Sequence, residues 1–200
     1  MNDLVCLVAD KNMEAAVAAL LERREALRIR EIQAEIQVHP RRDPGCFHEA
    51  PEFLDPLRTS YAHALILLDC AWEGAPHAAA NDLEADLRRR LGEDGWAEVV
   101  AIEPELEIWV WSDSTHVDRC LGWEGQEPRL RAWLSERALW PSGSAKPNDP
   151  KGAVESALRK VRLPRSSAIY RNLASSVSVD RCTDASFNRF CERLRAWFPA

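Results

Sequence analysis

Residues 4–10 read LVCLVAD and residues 64–69 read ALILLD, and each stretch is a continuous apolar run that ends on an aspartate. Such runs are typical of strands that are buried on both faces of a parallel sheet. A third, largely apolar run covers residues 97–102, and a shorter, half-polar one covers residues 31–38. Helical patterns separate these runs. The sequence therefore predicts an α/β fold with a mostly parallel four-stranded sheet flanked by helices.

Apolar residues at helical spacing, with capping residues at the ends, predict the helices. The predicted helices cover residues 47–60, 81–91, 127–139, 151–161 and 184–197. The turn-rich HPRRDPGC (39–46) is predicted to be a loop, and PSGSAKPNDP (141–150) a linker. The linker divides the chain into an α/β core, residues 1–140, and a helical C-terminal extension, residues 151–200, which we expect to pack on the core.

Composition excludes several classes of protein. The chain has 200 residues, of which 46% are hydrophobic, and this fraction is too high for a disordered chain. No apolar run reaches the roughly 18 residues of a membrane helix, and the first residues do not form a secretory signal. The six cysteines form no CxxC pair, which favours reduced thiols and a cytoplasmic protein.

The net charge of −6 is unevenly distributed along the sequence. Residues 1–145 carry 15 Lys and Arg against 27 Asp and Glu, whereas residues 146–200 carry 11 against 5. This distribution argues against uniform attraction to nucleic acid. It is compatible with a local basic contact beside an acidic, metal-attracting site, and equally with partner recognition or solubility alone.

Acidic residues follow three of the predicted strands. Asp10 and Asp69 end the first two apolar runs, and Glu103, Glu105 and Glu107 follow the third. Because ligands of parallel α/β sheets bind at the carboxyl ends of strands, these carboxylates are candidates for a magnesium or manganese site. Such an ion can polarise a phosphate and activate water. The alternative is that the acid after the first strand merely caps a helix.

Residues 102–111 fit two structures. Their alternation of apolar and polar side chains favours a strand. Pro104, however, is unsuited to a central strand and suits the first turn of a helix.

Three segments carry a resemblance to a known family: VADKNME (8–14), DCAWEG (69–74) and PELEIWVWSD (104–113). In this order they resemble the TOPRIM-like nucleases of bacterial anti-phage defence, including those of the OLD and RloB types. The chain is most similar to the small TOPRIM-like components of methylation-associated defence systems. The resemblance implies a TOPRIM-like sheet, a helix at PELEIW, and neighbours that include a DNA methyltransferase and an ATPase.

The resemblance also implies a metal-dependent nuclease acting on DNA or RNA, with Mg²⁺ or Mn²⁺ as cofactor. The catalytic residues would be Asp10, Glu14, Asp69, Glu107 and Lys151. The metal ligands would be Asp10, Asp69, Glu73 and Glu107. The candidate nucleic-acid contacts are Arg41, Arg42, Lys146, Arg162 and Arg165, each of which is also compatible with an ordinary solvated surface or a salt bridge.

Two positions depart from the family pattern. The first family glutamate falls on Ala9 when the strands are aligned without a gap, and the second aspartate of an Asp-x-Asp motif falls on Ala71. These departures favour an alternative, in which the chain is a catalytically degenerate scaffold of a multi-protein defence complex. A third hypothesis is a metal-dependent phosphatase or nucleotide-acting enzyme that uses the same acids.

Overall fold

The computed structural model describes residues 1–92, 94–112 and 114–200, so Asp113, the last residue of PELEIWVWSD, lies outside the described residues. The four predicted strands are present. They are β1 (Asn2–Val8), β2 (Ala34–Val38), β3 (Tyr61–Asp69) and β4 (Ala97–Ile102). All neighbouring strands pair in parallel, in the order β2-β1-β3-β4. The predicted α/β fold with a parallel four-stranded sheet is confirmed.

Helices connect the strands and follow the last of them. The helices of the first half are α1 (Lys11–Leu21), α2 (Arg24–Leu27), α3 (Arg42–His48), α4 (Ala50–Leu54), which runs into a 3-10 turn (Asp55–Leu57), and α5 (Ala80–Leu91). Those of the second half are α6 (Glu107–Val110), α7 (Thr115–Cys120), α8 (Leu130–Glu136), α9 (Pro150–Val161), α10 (Ser167–Ser176) and α11 (Ala185–Trp197). None of the helices in the described residues combines the length and the apolar character that crossing a bilayer requires.

The strand order creates a switch point between β1 and β3. From β1 the chain crosses outward to β2 through α1, and from β3 it crosses outward to β4 through α5. Since such crossovers are right-handed, α1 and α5 cover opposite faces of the sheet. Helices α3, α4 and α5 pack on one another, and α10 packs on α1. The crevice at the carboxyl ends of β1 and β3 is the position where such sheets bind ligands.

Hydrogen bonds attach the C-terminal helices to the end of α1 and to the segment after β4. The guanidinium of Arg23 donates to the carbonyls of Ala174 and Val177, both at 2.7 Å, which attaches α10 to the end of α1. The indole of Trp109 donates to Ser186 Oγ at 2.8 Å, and that of Trp111 donates to the carbonyl of Pro150 at 2.9 Å. Both indoles are buried, so these tryptophans form part of the core.

The structure differs from the predictions in three segments. Residues 42–46, expected in a loop, form most of α3, whose buried side faces β3. The alternating segment 102–111 is no strand beyond Ile102, because its apolar and aromatic side chains are buried on all sides, and it contains the single turn α6. Helix α10 was not predicted, since its serine-rich sequence is weakly helical and packing of its apolar face on α1 stabilises it.

Candidate functional site

A carboxylate follows each strand of the sheet. Asp10 comes after β1, Asp43 lies in the first turn of α3 after β2, Asp69 ends β3, and Glu105 and Glu107 follow β4. Because the strands are parallel, all these residues lie at one edge of the sheet, the one formed by the carboxyl ends of the strands. At this edge, Asp43, Glu105 and Glu107 lie close enough to Asp69 to act on it electrostatically.

Asp69 connects three of these segments. Its backbone N–H donates to Asp43 Oδ1 at 2.8 Å, and its own Oδ1 accepts the backbone N–H of Leu106, also at 2.8 Å. The amides of Cys70 and Ala71 both donate to the carbonyl of Pro104, at 3.0 and 2.9 Å. The chain after β4 is thus attached to the end of β3. Within the described residues, Asp69 Oδ2 accepts no hydrogen bond and Asp69 forms no ion pair.

The electrostatics of the cluster are unfavourable to ionised carboxylates. Burial raises the pKa of Asp69 well above its usual value, and the charges of Asp43, Glu107 and Glu105 raise it further. Burial also raises the pKa of Asp43, with a contribution from the charge of Asp10. Burial raises the pKa of Glu105 even though it bonds Lys151. Burial and mutual repulsion therefore disfavour the ionised form of these carboxylates, and a bound cation would offset that cost.

Two cations from the C-terminal half reach the acids after β4. Lys151 Nζ lies 2.7 Å from Glu105 Oε2, and Arg165 Nη2 lies 2.5 Å from Glu107 Oε1. The hydroxyl of Tyr170 donates to the same Glu107 oxygen at 2.5 Å. The side chain of Glu107 is only 2% exposed, so this carboxylate is a buried, neutralised group. Glu107 therefore attaches α10 and the connection that precedes it to the segment after β4.

The other predicted catalytic and metal-binding acids either bond residues close to them in sequence or are exposed to solvent. Asp10 caps α1, and its Oδ1 accepts the amides of Asn12 and Met13 at 2.9 and 2.8 Å. Glu14 pairs with Lys11 at 2.7 Å on the outside of α1. Glu73 is exposed in the loop after β3. Of the predicted acids, the structure therefore brings Asp69 and Glu107 within electrostatic range of each other and leaves Glu14 and Glu73 at the surface.

The predicted nucleic-acid contacts have different surroundings. Arg41 is exposed and pairs with Glu49, whereas Arg42 is exposed at the start of α3. The ammonium of Lys146 donates to the carbonyl of Ile108 at 2.7 Å, so it attaches the 141–150 segment to α6. Arg162 is exposed and ends α9 in a left-handed conformation.

The carboxylates suit a hard divalent cation in chemistry, since such ions take oxygen ligands. Asp69 and Asp43 are adjacent, and Asp10 acts on Asp43 electrostatically. Glu107 fits less well, because both Arg165 and Tyr170 occupy its Oε1. Within the described residues, no group of three or more His, Cys, Asp or Glu side chains is arranged to hold a metal ion as it stands. The magnesium site stays a prediction.

Sequence reasoning missed two members of the site. Asp43 lies in the segment 39–46 that the sequence predicts to be a loop, and it follows β2 much as Asp10 follows β1. That shared position was the signal that could have identified it. Tyr170 carried no such signal, because it lies in the unpredicted α10 and reaches Glu107 across 63 positions of sequence.

Comparisons with protein-family models, with curated proteins and with solved structures found no match for this chain.

Proposed function

We propose that this chain hydrolyses phosphodiester bonds of DNA or RNA with a bound Mg²⁺ or Mn²⁺, as a component of bacterial anti-phage defence. The observation that supports the enzymatic part is the position of Asp69, a buried carboxylate at the switch point of the sheet. Its backbone amide is hydrogen-bonded to Asp43, and Glu105 and Glu107 lie close enough to act on it electrostatically. The defence context and its partners, a DNA methyltransferase and an ATPase, rest on the sequence resemblance alone.

The roles of the residues follow from their positions. Asp69, Asp43 and Asp10 would hold the cation, which, when bound, stabilises phosphoryl charge and lowers the pKa of water. Lys151 is partly exposed beside Glu105, so a substrate phosphate can exchange with that carboxylate for the ammonium group. The hydrogen bond that Lys151 donates to Glu105 raises the pKa of Lys151, which keeps its charge at neutral pH. Glu107 and Arg165 position α9, which carries Lys151.

The experiment measures cleavage of labelled DNA and RNA, single- and double-stranded, with Mg²⁺, Mn²⁺ or EDTA. We expect metal-dependent cleavage that Asp69→Asn abolishes. Asp82→Asn is the matched control, because Asp82 is an exposed aspartate in the first turn of α5 and has no part in the proposed site. Metal-dependent cleavage that is equally fast in Asp69→Asn and in the wild type would remove this cluster as the catalyst.

A second function, a scaffold of the defence complex without catalysis, is favoured by the state of Glu107. Its buried carboxylate is ion-paired with Arg165 and accepts a hydrogen bond from Tyr170, and Asp10 caps α1. Both acids have structural roles that need no metal. The scaffold hypothesis predicts no cleavage under any metal, together with stable co-purification of the chain with the methyltransferase or the ATPase encoded beside it. Cleavage without co-purification would contradict it.

A further inference from the structure

The two edge strands of the sheet, β4 and β2, differ in how their outward backbone groups are hydrogen-bonded. At the β4 edge, side chains bond the outward backbone groups. Glu84 Oε1 accepts the amide of Ala101 at 2.9 Å, and Arg189 Nη2 donates to the carbonyl of Ala101 at 3.1 Å. Arg88 Nη2 donates to the carbonyl of Val99 at 3.2 Å. These bonds leave little for another strand to pair with, which is a common protection against edge-to-edge association.

In the part of the chain that the structure describes, the outward backbone groups of β2 have no such side-chain bonds. The carbonyl of Gln33 accepts the backbone amide of Asp3 at 3.0 Å, and the backbone amide of His39 donates to the carbonyl of Val8 at 2.9 Å. Since alternate residues of a parallel strand face its neighbour, the odd-numbered residues of β2 face β1. The backbone groups of Ala34, Ile36 and Val38 therefore point away from the sheet. Within the described residues, no side chain is hydrogen-bonded to them.

A groove runs beside this edge. It has a volume of about 620 Å³ and lies between α1 and β2. Its apolar walls include Leu21, Ile32 and Ile36, all only partly buried, so an added strand would find apolar contacts on this face. On the opposite face of the sheet, Glu35 points outward beside Gln37. A strand added here would place alternate side chains in the groove and beside Glu35.

The charge at this edge is acidic. Residues 31–38 contain two glutamates and no Lys or Arg, although exposed edges are commonly protected by lysine. The nearest groove cation, Arg24, already pairs with Glu31 at 2.6 Å. Glu35 accepts hydrogen bonds from Gln37 and Tyr61 and has no cationic partner in the described part of the chain. An opposite positive charge on an added strand would therefore be favourable.

We propose that the β2 edge binds an extended segment of a partner protein in which apolar and basic residues alternate. The partner's backbone pairs with Ala34, Ile36 and Val38, its apolar side chains enter the groove, and its basic side chains lie beside Glu35. Main-chain bonds of this kind provide affinity, while the pockets for alternate side chains provide specificity. The proposal concerns the side of the sheet beyond β1 and is independent of the carboxylate cluster.

The test uses the full chain, labelled with ¹⁵N, and the capped peptide Lys-Val-Lys-Val-Lys-Val as the probe. The expected result is saturable shifts of the amide signals of Ala34, Ile36 and Val38, with binding at least about tenfold weaker for the Glu-Val counterpart. Ala34→Pro removes one outward amide at the first residue of the strand, where proline is tolerated. We expect about fivefold weaker binding, from the loss of one backbone hydrogen bond. Ala34→Val keeps the amide and is the matched control.

Ile36→Lys is the second variant, because it places a cation in the groove and should weaken binding of the Lys-Val peptide by about tenfold or more. Circular dichroism and thermal unfolding establish that each variant is folded. Equal binding of the two peptides, or unchanged binding in both Ala34→Pro and Ile36→Lys, overturns the proposal. Concentration-dependent dimerisation that Ile36→Lys abolishes also overturns it, since the occupant would then be a second copy of the chain.

Discussion

Removal of the Arg165 guanidinium tests the structural role assigned to Glu107. Arg165→Met keeps much of the side-chain stem but leaves Glu107, 2% exposed, with Tyr170 as its remaining partner. Breaking a buried ion pair costs about 3–5 kcal/mol. The side chain of Arg165 is 32% exposed, so water can replace part of the lost interaction. We therefore expect the free energy of unfolding to fall by about 2 kcal/mol.

The assay is urea denaturation at pH 7, repeated for Glu107→Gln and for the double variant. Glutamine keeps the bond from Tyr170, so the double variant should be destabilised by less than the sum of the two single changes. A loss below about 0.5 kcal/mol for Arg165→Met would refute the reasoning, because it would be typical of an exposed ion pair. An additive double variant would show that the two side chains do not interact in solution.

Three further predictions concern the core, the acids and the edge of the sheet. Glu84→Ala should lower the free energy of unfolding by about 3 kcal/mol in urea denaturation, since the amide of Ala101 loses its buried acceptor and Arg189 its carboxylate; stability within about 0.5 kcal/mol of wild type would contradict this. Gly45→Ala should lower it by about 2 kcal/mol, because the new Cβ would lie 1.9 Å from His39 Nδ1, and an unchanged melting temperature would count against it. Because the pKa of Asp69 is raised in the fold, its contribution to stability is largest below its usual pKa and is lost as the pH rises through the folded-state pKa. In the absence of divalent ions, the stability of the wild type relative to Asp69→Asn should therefore fall as the pH rises above the usual aspartate pKa, and a difference that is independent of pH would be the contrary result.

The strands were predictable because their burial is written in continuous apolar runs. β1 and β3 are covered on both faces, so every residue from Leu4 to Val8 and from Ala64 to Leu68 is apolar and buried. The same pattern located Asp69, since a run that ends abruptly on an acid marks the carboxyl end of a strand. Helix α10 was not predictable in this way, because its apolar stripe is short and flanked by serines, and its packing depends on α1.

The partners of the acids depend on tertiary structure. Nothing in the local sequence of Glu107 distinguishes a metal ligand from a carboxylate bound by a distant arginine, and Arg165 lies 58 residues away. The cap at Asp10 was predictable as an alternative, because an acid directly before an apolar-periodic segment is a typical N-cap. Sequence therefore predicted which edge of the sheet carries the acids, and the structure determined which of them are already neutralised.

Titration of Mn²⁺ into the metal-free chain, followed by electron paramagnetic resonance, tests most directly whether the carboxylates around Asp69 hold a cation. The result we predict is one saturable site per chain that Mg²⁺ displaces, that Asp69→Asn and Asp43→Asn each abolish, and that Asp82→Asn retains. Undiminished Mn²⁺ binding in both of the first two variants, or no saturable binding by the wild type, would contradict the account.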